Sequence, residues 1–265
     1  MSYLHFLLQN GTKIRRQGNM FMLIRLIGSD FYKVRHTAIF WMHIIVPILI
    51  SLLFVAYYGT STAAVDNVSK MGLYTQVLSM GFPLIIGIVC AMAVEQEYDA
   101  GNFRGLLMSE HKLLSFSSKI CALLFMAFFS LIIAIGIFAL ELEFLVHEDV
   151  FNFYIYGNII LILLFSQIFL YILHLLLSFR FGTGASIGLG ITESLISALM
   201  LTGLGDVIGK WLPCSWGGRI IQNYIILNSD VYDINVLLYK FQGLYMNGFK
   251  LGIYICGIAT IIFPC

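Results

Sequence analysis

Ala93–Lys112 reads AVEQEYDAGNFRGLLMSEHK. It follows an uncharged run over 72–94 and precedes another over 120–140, so Glu95, Glu97 and Asp99 interrupt an otherwise apolar chain. A bilayer core is about 30 Å thick and takes about 20 apolar residues per helical crossing. Both runs have that length, and the charged stretch between them reads as a loop on one membrane face.

The rest of the chain repeats the pattern. It is 60% hydrophobic and 11% charged, against the roughly 25% charged residues of soluble domains, which excludes a soluble globule. Uncharged runs predict an all-α polytopic membrane protein with six transmembrane helices. They lie at about 38–58, 72–94, 120–140, 155–179, 181–204 and 251–265. The last is shorter than a comfortable crossing and no charge follows it, so that helix is expected to be incomplete or the chain clipped.

Met20, Leu23, Ile24, Ile27, Phe31 and Val34 share one helical stripe, with Arg25, Asp30, Lys33 and Arg35 off it. This predicts an N-terminal amphipathic helix lying in the interface before the first span. Residues 1–19 lack the apolar core and cleavage site of a signal peptide. They are expected to be a non-native or disordered extension from an early start codon, with 20–265 a single domain.

Orientation follows from the basic residues at the span borders. Lys13, Arg15, Arg16, Arg25, Lys33, Arg35, Arg104, Lys112, Lys119 and Arg180 fall on the N-terminal side of the membrane and outnumber Lys70, Lys210, Arg219, Lys240 and Lys250 opposite. The expected location is a bacterial plasma membrane with the N-terminus cytoplasmic. A net charge of +1 with basic residues at membrane borders gives no patch for nucleic acid. The cysteines, four in spans and Cys214 in a loop, form no disulfide framework and read as small hydrophobes.

Two glycine-rich stretches imitate nucleotide sites and fail. GDVIGKW (205–211) has one residue too few between its glycines and Trp211 after the lysine, and GTGASIGLG (182–190) has Ile187 where the dinucleotide pattern needs glycine. Gly184 and Gly188 instead form a G-x-x-x-G step, extended by Ala185 and Gly190. Such a step lets helices approach closely, within this subunit or against a second one.

Glu193 is the one acidic residue inside a span. A carboxylate at that depth is costly unless protonated, paired or facing a polar cavity. It either lines a substrate path or makes an interhelical hydrogen bond, for which Thr192 and Ser194 are neighbours. His43 and His174, each alone in an apolar span, read as satisfied polar residues. No H-E-x-x-H spacing, Cys/His cluster or catalytic triad occurs, so neither a metal site nor catalytic residues are expected.

Gly205–Lys250 is the longest connection and carries WLPCSWGGR (211–219). Its tryptophans suit the headgroup level, in a re-entrant segment or an ordinary wet loop. In the loop over 95–119, Phe103, Leu106, Leu107, Leu113 and Leu114 recur at near-helical spacing. Glu95, Glu97, Asp99, Arg104, Glu110 and Lys112 stay polar. A short helix parallel to the membrane follows, a handle for a soluble partner.

The apolar second span running into EQEYDAGNFRGLL (95–107) and then SKICALLFMAFFSLIIAIG (118–136) resembles the membrane subunits of type 2 ABC exporters. The resemblance covers 20–265 and implies that permease fold. In it the turn after the second span is a coupling helix docking on a separate ABC ATPase. Carried over, Glu95, Glu97, Gly101, Phe103 and Arg104 match the coupling segment. ATP and magnesium would be bound by the ATPase and no cofactor by this chain.

LIRLIGSDFYKVRHTAIFWMHIIVPILISLLFVAYYG (23–59), with WLPCSWGGR, resembles more narrowly the G-type, MutG-like permeases of lantibiotic immunity transporters. That resemblance implies a second, E-type permease as partner and a lantibiotic peptide, taken from the producer's own membrane lipid, as substrate. Export of another drug, lipid or polysaccharide is the alternative within the fold. A membrane scaffold or sensor without transport is the alternative outside it.

Overall fold

The computed structural model describes residues 21–60, 67–104, 108, 112–145, 152–227, 250 and 254. Helix α1 covers 21–34. It is followed by α2 (Ala38–Thr60), α3 (Asn67–Asp99), α4 (Lys112–Leu145), α5 (Phe153–Phe181) and α6 (Thr183–Met200). Among the described residues these last five are long and apolar enough to cross a membrane. The sixth predicted span, 251–265, lies outside the described residues apart from Tyr254, as does the extension over 1–19.

Beyond α6 come the single-turn α7 (Gly205–Ile208), 3-10 turns over Gly209–Trp211 and Pro213–Ser215, and α8 (Trp216–Leu227). Of the long connection, 205–227 is therefore folded, with α8 packed on α3 and α5. Trp211 is exposed, whereas Trp216 is buried edge-on to Phe169 at 5.7 Å. The two tryptophans do not share the headgroup role expected of them. Arg219 donates from Nε to the Met200 carbonyl (2.8 Å) and from Nη2 to that of Thr202 (2.9 Å). A cation thus covers the carbonyls left without partners where α6 ends.

Helices α3 and α4 run 33 and 34 residues. At 1.5 Å per residue each is about 50 Å long, well beyond the bilayer core. The excess absorbs Leu113 and Leu114 into the start of α4, so they do not join a helix parallel to the membrane. No glycine or proline interrupts 112–135, and extending a helix costs less than nucleating a new one.

Helix α3 is the centre of the bundle. Of its most apolar stretch 61% is buried, against 22% for α6 at the periphery. Among the described elements the α3–α6 contact is the most extensive, and small residues on both helices permit it. A Cβ on Gly190 would sit 2.7 Å from the Pro83 carbonyl oxygen, and one on Gly87 would sit 2.8 Å from that of Ser186. Pro83 breaks the regular ladder of α3, and the Leu84 N–H donates to Ser194 Oγ at 3.2 Å.

Gly184 and Gly188 take no part in this crossing. Both are exposed, and a Cβ on either would meet nothing within 4 Å. Helix periodicity turns them to the face opposite Ser186 and Gly190, so among the described residues they pack against no other helix.

At the end of the spans remote from α1, the Ser51 and Tyr74 hydroxyls lie 2.7 Å apart. Both also lie within hydrogen-bond distance of the Ala134 carbonyl, at 3.1 and 2.9 Å, so that two hydroxyl hydrogens serve a cluster joining α2, α3 and α4. Tyr74 also stacks on Phe138 at 3.9 Å. At the α1 end, Gly182 turns α5 directly into α6 with φ 89°, a backbone region open to glycine.

Candidate functional site

The α1 end gathers the charged residues that the apolar spans exclude. Lys33 Nζ and Lys119 Nζ both donate to Glu97 Oε1, at 3.0 and 2.9 Å. Asp30 lies 3.7 Å from Lys33 and accepts from Ser118 Oγ at 2.6 Å. Two cations and two anions thus form a balanced network linking α1, the end of α3 and the start of α4. Gln96 adds a bond to the Lys33 carbonyl at 3.0 Å. Burial alone would lower the Lys33 amine's pKa, but the hydrogen bond and charge of Glu97, with Asp30, hold it above its ordinary value.

Glu97 is therefore inside the molecule, and its expected place on the exposed docking face is corrected. A carboxylate at the membrane border is buried only when paired, and Lys33 and Lys119 pair it. The lysines were visible in the sequence as border charges, but no local pattern ties them to Glu97 across 64 and 22 positions.

Two residues past Glu97, α3 ends in a turn of unusual backbone. Gly101, Asn102 and Phe103 have φ of 145°, 56° and 62°. The Asn102 N–H donates to the Tyr98 carbonyl at 2.7 Å. A phenylalanine in the left-handed region is strained by about 1–3 kcal/mol. Its ring lies 5.7 Å from those of Tyr98 and Phe179, which hold it. Glu95, Gly101 and Arg104 are exposed around the turn. Between it and the α5–α6 junction lies a cleft of ≈ 300 Å³ lined by Glu95, Tyr98, Phe103, Phe179 and Thr183 among others. Residues 105–107 and 109–111, with the expected Leu106, Leu107 and Glu110, fall outside the described residues.

Glu193 has a different environment. Its Oε2 lies 2.9 Å from His174 Nε2, and His174 Nδ1 lies 3.0 Å from Ser186 Oγ, which donates to the Gly87 carbonyl at 3.1 Å. The direction of these bonds fixes a proton. Since Ser186 spends its hydrogen on a carbonyl, it accepts from His174, so Nδ1 carries a hydrogen. The contact between Nε2 and Oε2 then needs one further proton, on either atom. Whether an ion pair or two neutral groups, the unit carries no net charge, which is how α6 accommodates a carboxylate within a span. The partner is His174 on α5 rather than the neighbours Thr192 or Ser194.

Among the described residues, no three His, Cys, Asp or Glu side chains come together to hold a metal ion. Residues 26–202 match the family described as ABC-2 family transporter protein. The chain belongs to that family. It is thus the membrane permease part of an ABC transporter, and the match covers α2 through α6 and most of α1. No curated protein and no solved structure matches the permease.

Proposed function

We propose that this permease is the G-type membrane subunit of a lantibiotic immunity transporter. It works with an E-type permease and a separate ATPase that binds ATP and magnesium, and it removes a membrane-active cationic peptide from the producer's own bilayer. The α1 side is cytoplasmic in this reading. The observation that carries the coupling part is the held turn at Gly101–Phe103, beside an open cleft flanked by exposed Glu95 and Arg104. An ATPase docked there moves Phe103. The ring transmits that movement to Phe179 on α5, and Glu97 transmits it to α1 and α4 through Lys33 and Lys119. Support for the peptide substrate comes from the resemblance of 23–59 and of WLPCSWGGR to that branch.

The test is co-purification with candidate ATPases, followed by peptide-challenge survival of cells with and without the complex. The reading expects an ATPase to be retained and survival to fall when the permease is removed. An ATPase retained without any change in survival would redirect the substrate to another drug, lipid or polysaccharide. Failure to retain any ATPase would favour the scaffold or sensor.

A further inference from the structure

Two spaces in the bundle share a wall. One is a groove of ≈ 360 Å³ between α1, α2 and α4, lined by Phe31, Phe40, Phe125, Met126 and Phe129 among others. Phe125 and Phe129 are about half exposed, 51% and 48%, so the groove opens to the lipid side. The other is a chamber of ≈ 40 Å³ between α2, α3, α4 and α5. His43 and Ser130 line both.

The chamber contains a polar mismatch. His43 and Gln167 line it, both more than nine-tenths buried, and among the described residues neither His43 Nε2 nor Gln167 Nε2 has a hydrogen-bond partner. A buried polar atom left so costs about 1–3 kcal/mol, and two of them on one small space point to a guest.

Hydrogen positions define that guest. His43 Nδ1 is 2.8 Å from the Ile39 carbonyl oxygen, which only accepts, so Nδ1 carries the hydrogen. In the neutral imidazole Nε2 is then an acceptor, while the Gln167 amide nitrogen is a donor. A hydroxyl oxygen answers both, donating to His43 and accepting from Gln167. An alkyl group answers neither, and a carboxylate answers only Gln167. Pro47 lines the same chamber and has no N–H, so the His43 carbonyl lacks its usual helical donor as well.

We propose that groove and chamber together bind one hydroxyl-bearing amphiphile from the bilayer, with its chain among the phenylalanines and its hydroxyl between His43 and Gln167. The chamber exceeds the roughly 10–15 Å³ that one oxygen-sized guest needs. The groove lies in the range of about 300–1,000 Å³ common for ligand pockets. The site is separate from the turn at Gly101–Phe103 and holds whatever the transported substrate is.

The test uses the full-length protein in phosphatidylcholine nanodiscs and a dodecanol carrying a photoreactive diazirine on its chain. Labelling is expected on the α4 segment containing Phe125, Met126 and Phe129, and unlabelled dodecanol should compete for it. The methyl ether of dodecanol, which accepts but cannot donate, should compete about tenfold more weakly. His43→Leu, which removes the acceptor that only the alcohol can use, should bring dodecanol close to the ether while leaving the ether unchanged. Should that variant fail to fold, the alcohol–ether comparison on the wild-type protein decides alone. Equal competition by alcohol and ether would overturn the proposal and leave the chamber to water. Labelling that falls outside the groove would overturn it too.

Discussion

Glu97 Oε1 accepts from two lysines at once, and both Glu97 and Lys119 are buried. Removing one partner of a buried pair leaves the other charge without compensation, at a cost of about 3–5 kcal/mol. Lys119→Met would leave Glu97 still paired with Lys33, whereas Glu97→Gln leaves the buried Lys119 without its carboxylate. Glu97→Gln should therefore lower the thermal unfolding midpoint in detergent far more than the double variant Glu97→Gln/Lys119→Met. A single variant as stable as the wild type would show that the network contributes little. Glu193 makes a sharper case, because the shared proton can be replaced. In Glu193→Gln the new amide donates to His174 Nε2, so assembly should persist, whereas Glu193→Leu leaves that nitrogen unpartnered at about 1–3 kcal/mol. Size-exclusion profiles and expression levels separate the two. If the charge of Glu193 is also used in transport, Glu193→Gln should retain normal expression yet lose peptide protection. Indifference to both substitutions would remove the pair from the mechanism.

Among the elements, α6 has two faces of different consequence. Gly190 lies against the backbone of α3 at Pro83–Leu84, while Gly184 and Gly188 face away from the other described helices. Gly190→Val should force α3 and α6 apart and reduce the yield of folded monomer. Gly184→Val and Gly188→Val should leave the monomer's unfolding free energy within about 0.5 kcal/mol of wild type, as surface changes commonly do. Any loss from these two would appear as weaker association with a second subunit in a cross-linking assay. Equal damage from all three would mean that the outward face of α6 is not as free as its geometry indicates. The same logic applies to the turn after α3. Glu95→Ala with Arg104→Ala touches only exposed charges, so membrane insertion and melting should be unchanged while ATPase recovery in a pull-down falls. Full recovery at matched expression would detach the turn from docking.

For the molecule as a whole, the ends of the helices give one orientation to test. The α1 end holds the network, the strained turn and the α5–α6 junction, while the end of α4, the start of α5 and α7 lie at the other. With the α1 end cytoplasmic, a reporter inserted at 146–151 should be active only if it functions outside the cell, and one fused at the N-terminus only if it functions inside. The reverse pattern would invert the membrane topology and move the proposed ATPase contact to the wrong side. Five crossings, their order and the interfacial α1 were legible in the sequence because each depends on hydropathy summed over consecutive residues. Bilayer insertion reads that sum without reference to the rest of the chain. The place of Glu95–Arg104 at the end of α3 was legible for a similar reason, as charge set abruptly between two apolar runs. Glu97 with Lys33 and Lys119, Glu193 with His174, and Gly190 with Pro83 were not. Each joins residues on different helices, and lateral packing alone decides which face of a nearly uniform apolar helix meets which neighbour. Composition distinguishes that face only weakly when lipid and protein interior are equally apolar. The sequence by itself thus determined that the chain crosses the membrane, and where. Only the tertiary structure decided which charges neutralise one another, which glycines let helices touch, and where His43 and Gln167 leave room for a guest.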